Sequence, residues 1–281
     1  MRNAQQLIKA FAIVLATLII VGIFAAIIGG VSFLAAVTGA EIGGWVGEST
    51  GPWTSEDYES QKARELEMNV KTTSVEFRLV DDGEPVRVET NNEYVTTWID
   101  KDGQRLNVVE KSHGVFGWGG RGEVIVYVRK NIEFDKVQLA IGAGALDIES
   151  LSARVLDLDL GAGRTEIRDL KVSEHAKIDG GAGFLAIRNA DLKDAQLELG
   201  VGKAEIKAKL VGNSKVDAGV GKVELNLVGK EQDYCVRIDK GIGSVELNGV
   251  KMKDNSVWGT GQNNVDVESG VGAVELKITE D

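Results

Sequence analysis

The chain has 281 residues, 43% hydrophobic and 27% charged, with 35 glycines, 2 prolines and 1 cysteine. That composition belongs to an ordered protein with room for one large domain, and a lone cysteine excludes an intrachain disulfide framework. Setting aside Arg2 and Lys9, the 32 bases become 30 against 43 acids, all beyond position 40, and this net charge of −13 repels nucleic acid and anionic headgroups.

Residues 1–9 carry Arg2 and Lys9 and are followed by 31 uncharged residues, 10–40. About 20 apolar residues span a bilayer, so 10–40 predicts one transmembrane α-helix. A cleaved signal peptide is the alternative, but its apolar region runs only about 7–15 residues. Bases before the segment, and Glu41, Glu48, Glu56 and Asp57 after it, predict a cytoplasmic N-terminus and an extracellular remainder in the cell membrane. Gly22, Ala26 and Gly30 recur every fourth residue, which leaves homodimerisation through this helix open. Residues 41–64, with Trp45, Pro52 and Trp53, are expected to form a stalk in which Thr54 and Asp57 cap one or two helical turns.

From 65 to 281 the pattern turns to period two, predicting an all-β domain. PVRVET, EYVTTWID, QRLNVVEK and EVIVYVR read as strands between the turn signals DDG, NN and KDG. Clear repeats occupy 137–281: an alternating strand, Gly-x-Gly, then a second strand closed by Ile or Leu. The paired glycines are Gly142 and Gly144, Gly161 and Gly163, Gly181 and Gly183, Gly200 and Gly202, Gly219 and Gly221, Gly241 and Gly243, and Gly270 and Gly272. Successive first glycines lie 19, 20, 19, 19, 22 and 29 apart, the period of a stacked β-solenoid. Residues 67–77, EMNVKTTSVEF, align with 237–247 as a degenerate rung with Lys71 and Thr73 in the glycine places. The wide spacings predict outward loops at 229–234 and 250–263.

Strand parity assigns the faces. Counting from each first glycine, position −3 (such as Leu158 and Leu197) and position +6 (such as Ile167 and Ile206) face the core. Positions −2 (such as Asp159 and Asp179) and +5 (such as Glu166 and Glu205) form two outward acidic columns. Calcium binding at stacked carboxylates is one reading, but the calcium-binding β-helix uses a nonapeptide. Bases at +3 and +7 favour charge-compensated ladders instead. Gly-x-Gly does not read as a phosphate cradle, because each copy feeds a strand and not a helix. Cys235, His113 and His175 lack any triad-like context, and no enzyme and no cofactor are expected. Val115, Phe116 and Trp118 in the glycine-rich 112–123 connection, and Trp258 in the 250–263 loop, are the candidate interaction residues. Capping of a solenoid end is the alternative use of the 112–123 rings.

The apolar helix followed by strands, the segment VIVYVRKNIEFDKVQLAIGAGALDI (124–148) and the serial G-x-G-x-x-[DE]-[IL] copies resemble the bacterial toast-rack (putative-adhesin) family, a β-strand-repeat domain of unknown function in envelope proteins. The resemblance spans residues 65–281. It implies a single-stranded β-helix-like solenoid, often membrane-tethered, with relatives linked to surface adhesion or to envelope-stress sensing, and it supplies no catalytic residues. The expectation is a non-catalytic envelope scaffold or stress-sensing accessory with an unidentified protein partner. A surface adhesin for carbohydrate or polymer, and a calcium-dependent module, are the alternatives.

Overall fold

The computed structural model describes residues 51–58, 63–111 and 122–280. The 10–40 segment and the loop residues Val115, Phe116 and Trp118 therefore lie outside the described residues. The described strands are β1 (Thr54–Tyr58), β2 (Glu65–Val70), β3 (Ser74–Val80), β4 (Val86–Thr90), β5 (Val95–Ile99), β6 (Arg105–Glu110), β7 (Glu123–Arg129), β8 (Phe134–Asp179) and β9 (Ala182–Lys193). They continue as β10 (Gln196–Glu198), β11 (Val201–Val211), β12 (Asn213–Asp217), β13 (Val220–Val228), β14 (Tyr234–Leu247), β15 (Val250–Lys251), β16 (Ser256–Trp258) and β17 (Asn263–Thr279).

Each repeat makes one rung: an arm before the glycines, a corner, and an arm after them. Rungs stack in parallel with glycine over glycine, as in Gly163↔Gly183, Gly202↔Gly183 and Gly202↔Gly221. The expected core columns are buried throughout, from Leu139 to Val267 at −3 and from Ile148 to Leu276 at +6. Two more inward columns accompany them, at −5 (Val137, Leu156, Ala176) and at +4 (Leu146, Leu185, Val223). Since every rung buries about the same aliphatic set, each is stabilised chiefly by its two neighbours.

The corner explains the glycines. A Cβ on Gly202 would collide with the carbonyl oxygen of Gly183, and one on Gly221 with that of Gly202. Gly202 also has φ +137°, a conformation that a side chain disfavours. Between the two glycines, the Val201 amide donates back to the Gly181 carbonyl (2.7 Å) and the Val220 amide to that of Gly200 (2.8 Å). Just before the corner, Leu199 N–H donates forward to Asp217 O (2.7 Å).

Spatial order departs from chain order at both ends. β17 lies between β13 and β14, with Gly221↔Gly272 on one side and Gly243↔Gly272 on the other. After β13 the chain skips a rung, builds β14 outermost, and returns to fill the gap. Likewise β2 sits between β6 and the first arm of β8, with Met68↔Val108 and Met68↔Leu139, so the degenerate 67–77 copy is an interior rung. Its Phe77 pairs with Ile148 in the +6 column, and Gly142 stacks on Lys71.

Strand pairing corrects two expectations, the free loop at 250–263 and the helical turns at Thr54. The 250–263 stretch is not a free loop, because β15 and β16 run antiparallel along the two arms of β14. Trp258 pairs with Val236 and packs against the core there. Thr54–Tyr58 is a strand, antiparallel to β4, instead of helical turns; the Thr54 hydroxyl donates to Thr90 O (3.3 Å) rather than capping its own amides. A neighbouring strand edge outweighs a weak local helical signal. At 229–234 the wide spacing is taken up by one 3-10 turn, Glu231–Asp233, whose start is held by Lys230 N–H donating to Asp233 (2.9 Å).

Two carboxylates accept corner amides towards the two ends of the described stack. At one end the Glu110 carboxylate accepts the amides of Lys71 (2.6 Å), Thr72 (3.0 Å) and Thr73 (3.3 Å) and the Thr72 hydroxyl (2.9 Å). At the other, the Lys240 amide, which would donate forward to a further rung, donates to Asp254 (2.9 Å). Beyond Glu110 the end is covered by β5, antiparallel to β6, and by β4, antiparallel to β7.

Burial acts to raise the Glu110 pKa, and the four hydrogen bonds outweigh it, leaving the group below its ordinary 4.5. A depressed carboxylate contributes stability that is present above the unfolded pKa and is lost as pH falls through the folded value. Glu110→Gln should therefore cost about 1–3 kcal/mol at neutral pH. In denaturant titrations its deficit against the wild type should shrink below pH 4.5. Gly202→Ala should cost upwards of about 2 kcal/mol, combining backbone strain and overpacking. Gly103→Ala, where φ is +71° but no atom lies nearby, should cost only about 1 kcal/mol.

Candidate interaction surface

The two outward faces beside the glycine corner differ in charge balance. On the arm after the glycines, five of the six +5 carboxylates pair with bases as the sequence suggests. Asp147 meets Arg168 (2.8 Å), Glu205 meets Arg188 (3.0 Å) and Lys203 (2.5 Å), Glu224 meets Lys222 (2.7 Å), and Glu275 meets Lys277 (2.8 Å). Glu166 pairs with Arg164. The hydrogen bond from Lys203 holds Glu205 below the usual carboxylate range, and that from Lys222 does the same for Glu224. Such exposed pairs contribute about 0–1 kcal/mol each, so the ladder sets local charge more than stability.

The one break in this ladder has a local cause. At the Gly181 rung, Phe184 and Ala186 stand where a base and an acid stand elsewhere. The Arg164 guanidinium lies 4.7 Å from the Phe184 ring centre, and Ala186 is fully buried. An aromatic contact thus replaces one ion pair without leaving a hole in the row.

The arm before the glycines is not balanced. Its −4 and −2 positions present Asp157, Asp159, Asp179, Glu198, Asp217, Asp239, Asp266 and Glu268, with Lys177, Lys215 and Arg237 as the bases. Lys215 pairs with Glu268 (3.0 Å) and Arg237 with Asp266 (2.7 Å), both acids of this same face, so three bases stand against eight acids there. Partial burial, then the carboxylates of Asp179 and Asp157, raise the Asp159 pKa, while Lys177 opposes them. Part of this column serves the fold: Asp179 accepts the Gly181 amide (3.2 Å) and Asp217 the Gly219 amide (3.0 Å). The compensated-ladder expectation therefore holds for one face and fails for the other. Parity reveals both columns in the sequence, but strand register decides which bases reach them.

The other predicted residues are dispersed. Cys235 is a half-buried free thiol on β14, and His175 is exposed on β8. Among the described residues no group of three His, Cys, Asp or Glu side chains is arranged to hold a metal ion. A depression at the corner, lined by Gly142, Gly161, Gly163 and Phe184, encloses about 10 Å³, space for a single water at most.

The Toastrack DUF4097 family model matches this chain twice, over residues 63–208 and 120–277. The two matches overlap over residues 120–208. No curated protein matches the chain. Among solved structures, a "putative cell adhesion protein" from Clostridium sporogenes is 15% identical with a TM-score of 0.35, covering 81% of this chain and 99% of its own. A "putative adhesin" from Bacteroides fragilis is 12% identical with a TM-score of 0.38, covering 82% and 99%. One from Parabacteroides distasonis is 12% identical with a TM-score of 0.32, covering 83% and 99%. With matches running from 63 to 277, the chain belongs to the Toastrack DUF4097 family.

Proposed function

We propose that this protein is a single-pass component of the cell envelope, anchored through residues 10–40 with its N-terminus in the cytoplasm. Its solenoid then stands outside as a non-catalytic scaffold that recruits a protein partner, in envelope-stress sensing or a related task. The observation that carries this reading is the unequal charge of the two faces. A structural ladder has no need to leave one face acidic while neutralising the other. Uncompensated carboxylates at about 4.8 Å intervals present a linear negative field suited to a basic protein surface. The residue types that suggest chemistry are accounted for by the repeat, since the glycines make the corners and the carboxylates cap amides or join ladders.

Photo-crosslinkers placed at Gln196, on the acidic face, and at Asn226, on the neutral face, test this in living cells. A discrete protein adduct is expected from Gln196 alone, weakened several-fold by Asp157→Lys with Asp159→Lys and by raised salt. Capture from Asn226 alone would move the surface to the other face. Capture of glycan without protein, together with loss of cell attachment on deleting residues 65–281, would instead establish the adhesin reading. The melting temperature should be the same with and without a calcium chelator; a drop of several degrees would revive the calcium-dependent reading.

A further inference from the structure

We infer that β17 is an exchangeable strand, and that the slot it fills between β13 and β14 also accepts the β17 of a second copy of this chain. The slot arises because β14 is laid down one rung too far out, so that β13 and β14 face each other across an empty row until β17 arrives. Both walls are strand edges in matching register, Val220 and Ile242 flanking Val271, and each backs onto core residues such as Leu225 and Leu247. Such edges demand a strand.

The slot is selective for its occupant. Carbonyl oxygens of Gly219 and Gly221 stand where Cβ atoms on residues 270 and 272 would lie. Only an extended segment with Gly-x-Gly at the corner, and apolar residues at the places of Val265, Val267, Val274 and Leu276, can seat. A second copy carries that segment by construction.

Two observations favour exchange between copies. β17 is reached from the outermost layer through only residues 259–262, which must pass from β16 across the start of β14. Along this hinge Gly259 has φ +76°, and Gly261 lies so close to the Asp233–Tyr234 peptide that no Cβ would fit. Short, constrained hinges of this kind invite strand swapping, because the constraint relaxes when the strand continues into another molecule. In addition, Ile242, Val250 and Val257, three of the exposed large hydrophobic residues, all belong to this last layer. A reciprocal swap through 259–262 brings two such layers face to face and covers them.

The test uses two differently tagged full-length chains, both Cys235→Ser, co-expressed in one membrane. One carries Val220→Cys and the other Val271→Cys, positions that are direct strand partners. Exchange predicts a disulfide joining the two tags after oxidation, reduced several-fold when Gly-Ser-Gly is inserted between Gly261 and Gln262. It also predicts no such bond when Ala143→Cys replaces Val271→Cys. The double variant Val220→Cys, Val271→Cys in one chain reports on the fold by closing internally, and Lys222 with Ala273 provides a second register pair. Internal closure with no bond between tags overturns the inference, as does an equally strong bond from Ala143→Cys.

Discussion

Everything in this solenoid depends on the approach of one corner to the next. The carbonyl oxygen of a corner glycine occupies the space in which the next rung would place a Cβ, so each rung laid on such a corner must lack one there. With that contact made, the amide between the glycines meets the carbonyl of the rung before, and the amide ahead of the corner meets the rung after. Register then follows for the whole arm, and the −5, −3, +4 and +6 side chains superimpose as continuous core columns.

A stack built this way has two unsatisfied faces, and this chain treats both. Glu110 gathers the amides of the degenerate rung at Lys71, Thr72 and Thr73. Asp254 takes the Lys240 amide at the outermost corner. Antiparallel strands cover the arms at each end and stop the parallel stacking, which would otherwise leave edges open to any extended chain. Among the described residues, the ends are capped by local acceptors and reversed strand direction.

The outward faces follow from the same register. Because rungs differ by a fixed period, an acid at +5 finds the base at +7 of the next rung as readily as the base at +3 of its own. Arg168 thus reaches Asp147 from one rung on, while Lys203 reaches Glu205 within its own. On the opposite arm the bases are fewer, three against eight acids at −4 and −2, so the field of that face stays negative. The difference between a structural ladder and a candidate recognition surface is therefore one of local charge balance on an identical backbone.

By itself the sequence determined the period, the glycine corners, the inward columns and even the faint rung at 67–77, since each is a local pattern written into every copy. It also placed both acidic columns on the outside, because parity along a strand is a property of the chain alone. What only the tertiary structure decided is the order of the rungs. Copies so alike are nearly interchangeable as neighbours, so the chain pattern cannot say that the Gly270 repeat lies inside the Gly241 repeat. The spacings of 22 and 29 marked the place without revealing the crossing. The same holds for β1, for Trp258 and for Glu110, whose roles come from partners 30 or more residues away or across a rung, where edge pairing and burial override local preference.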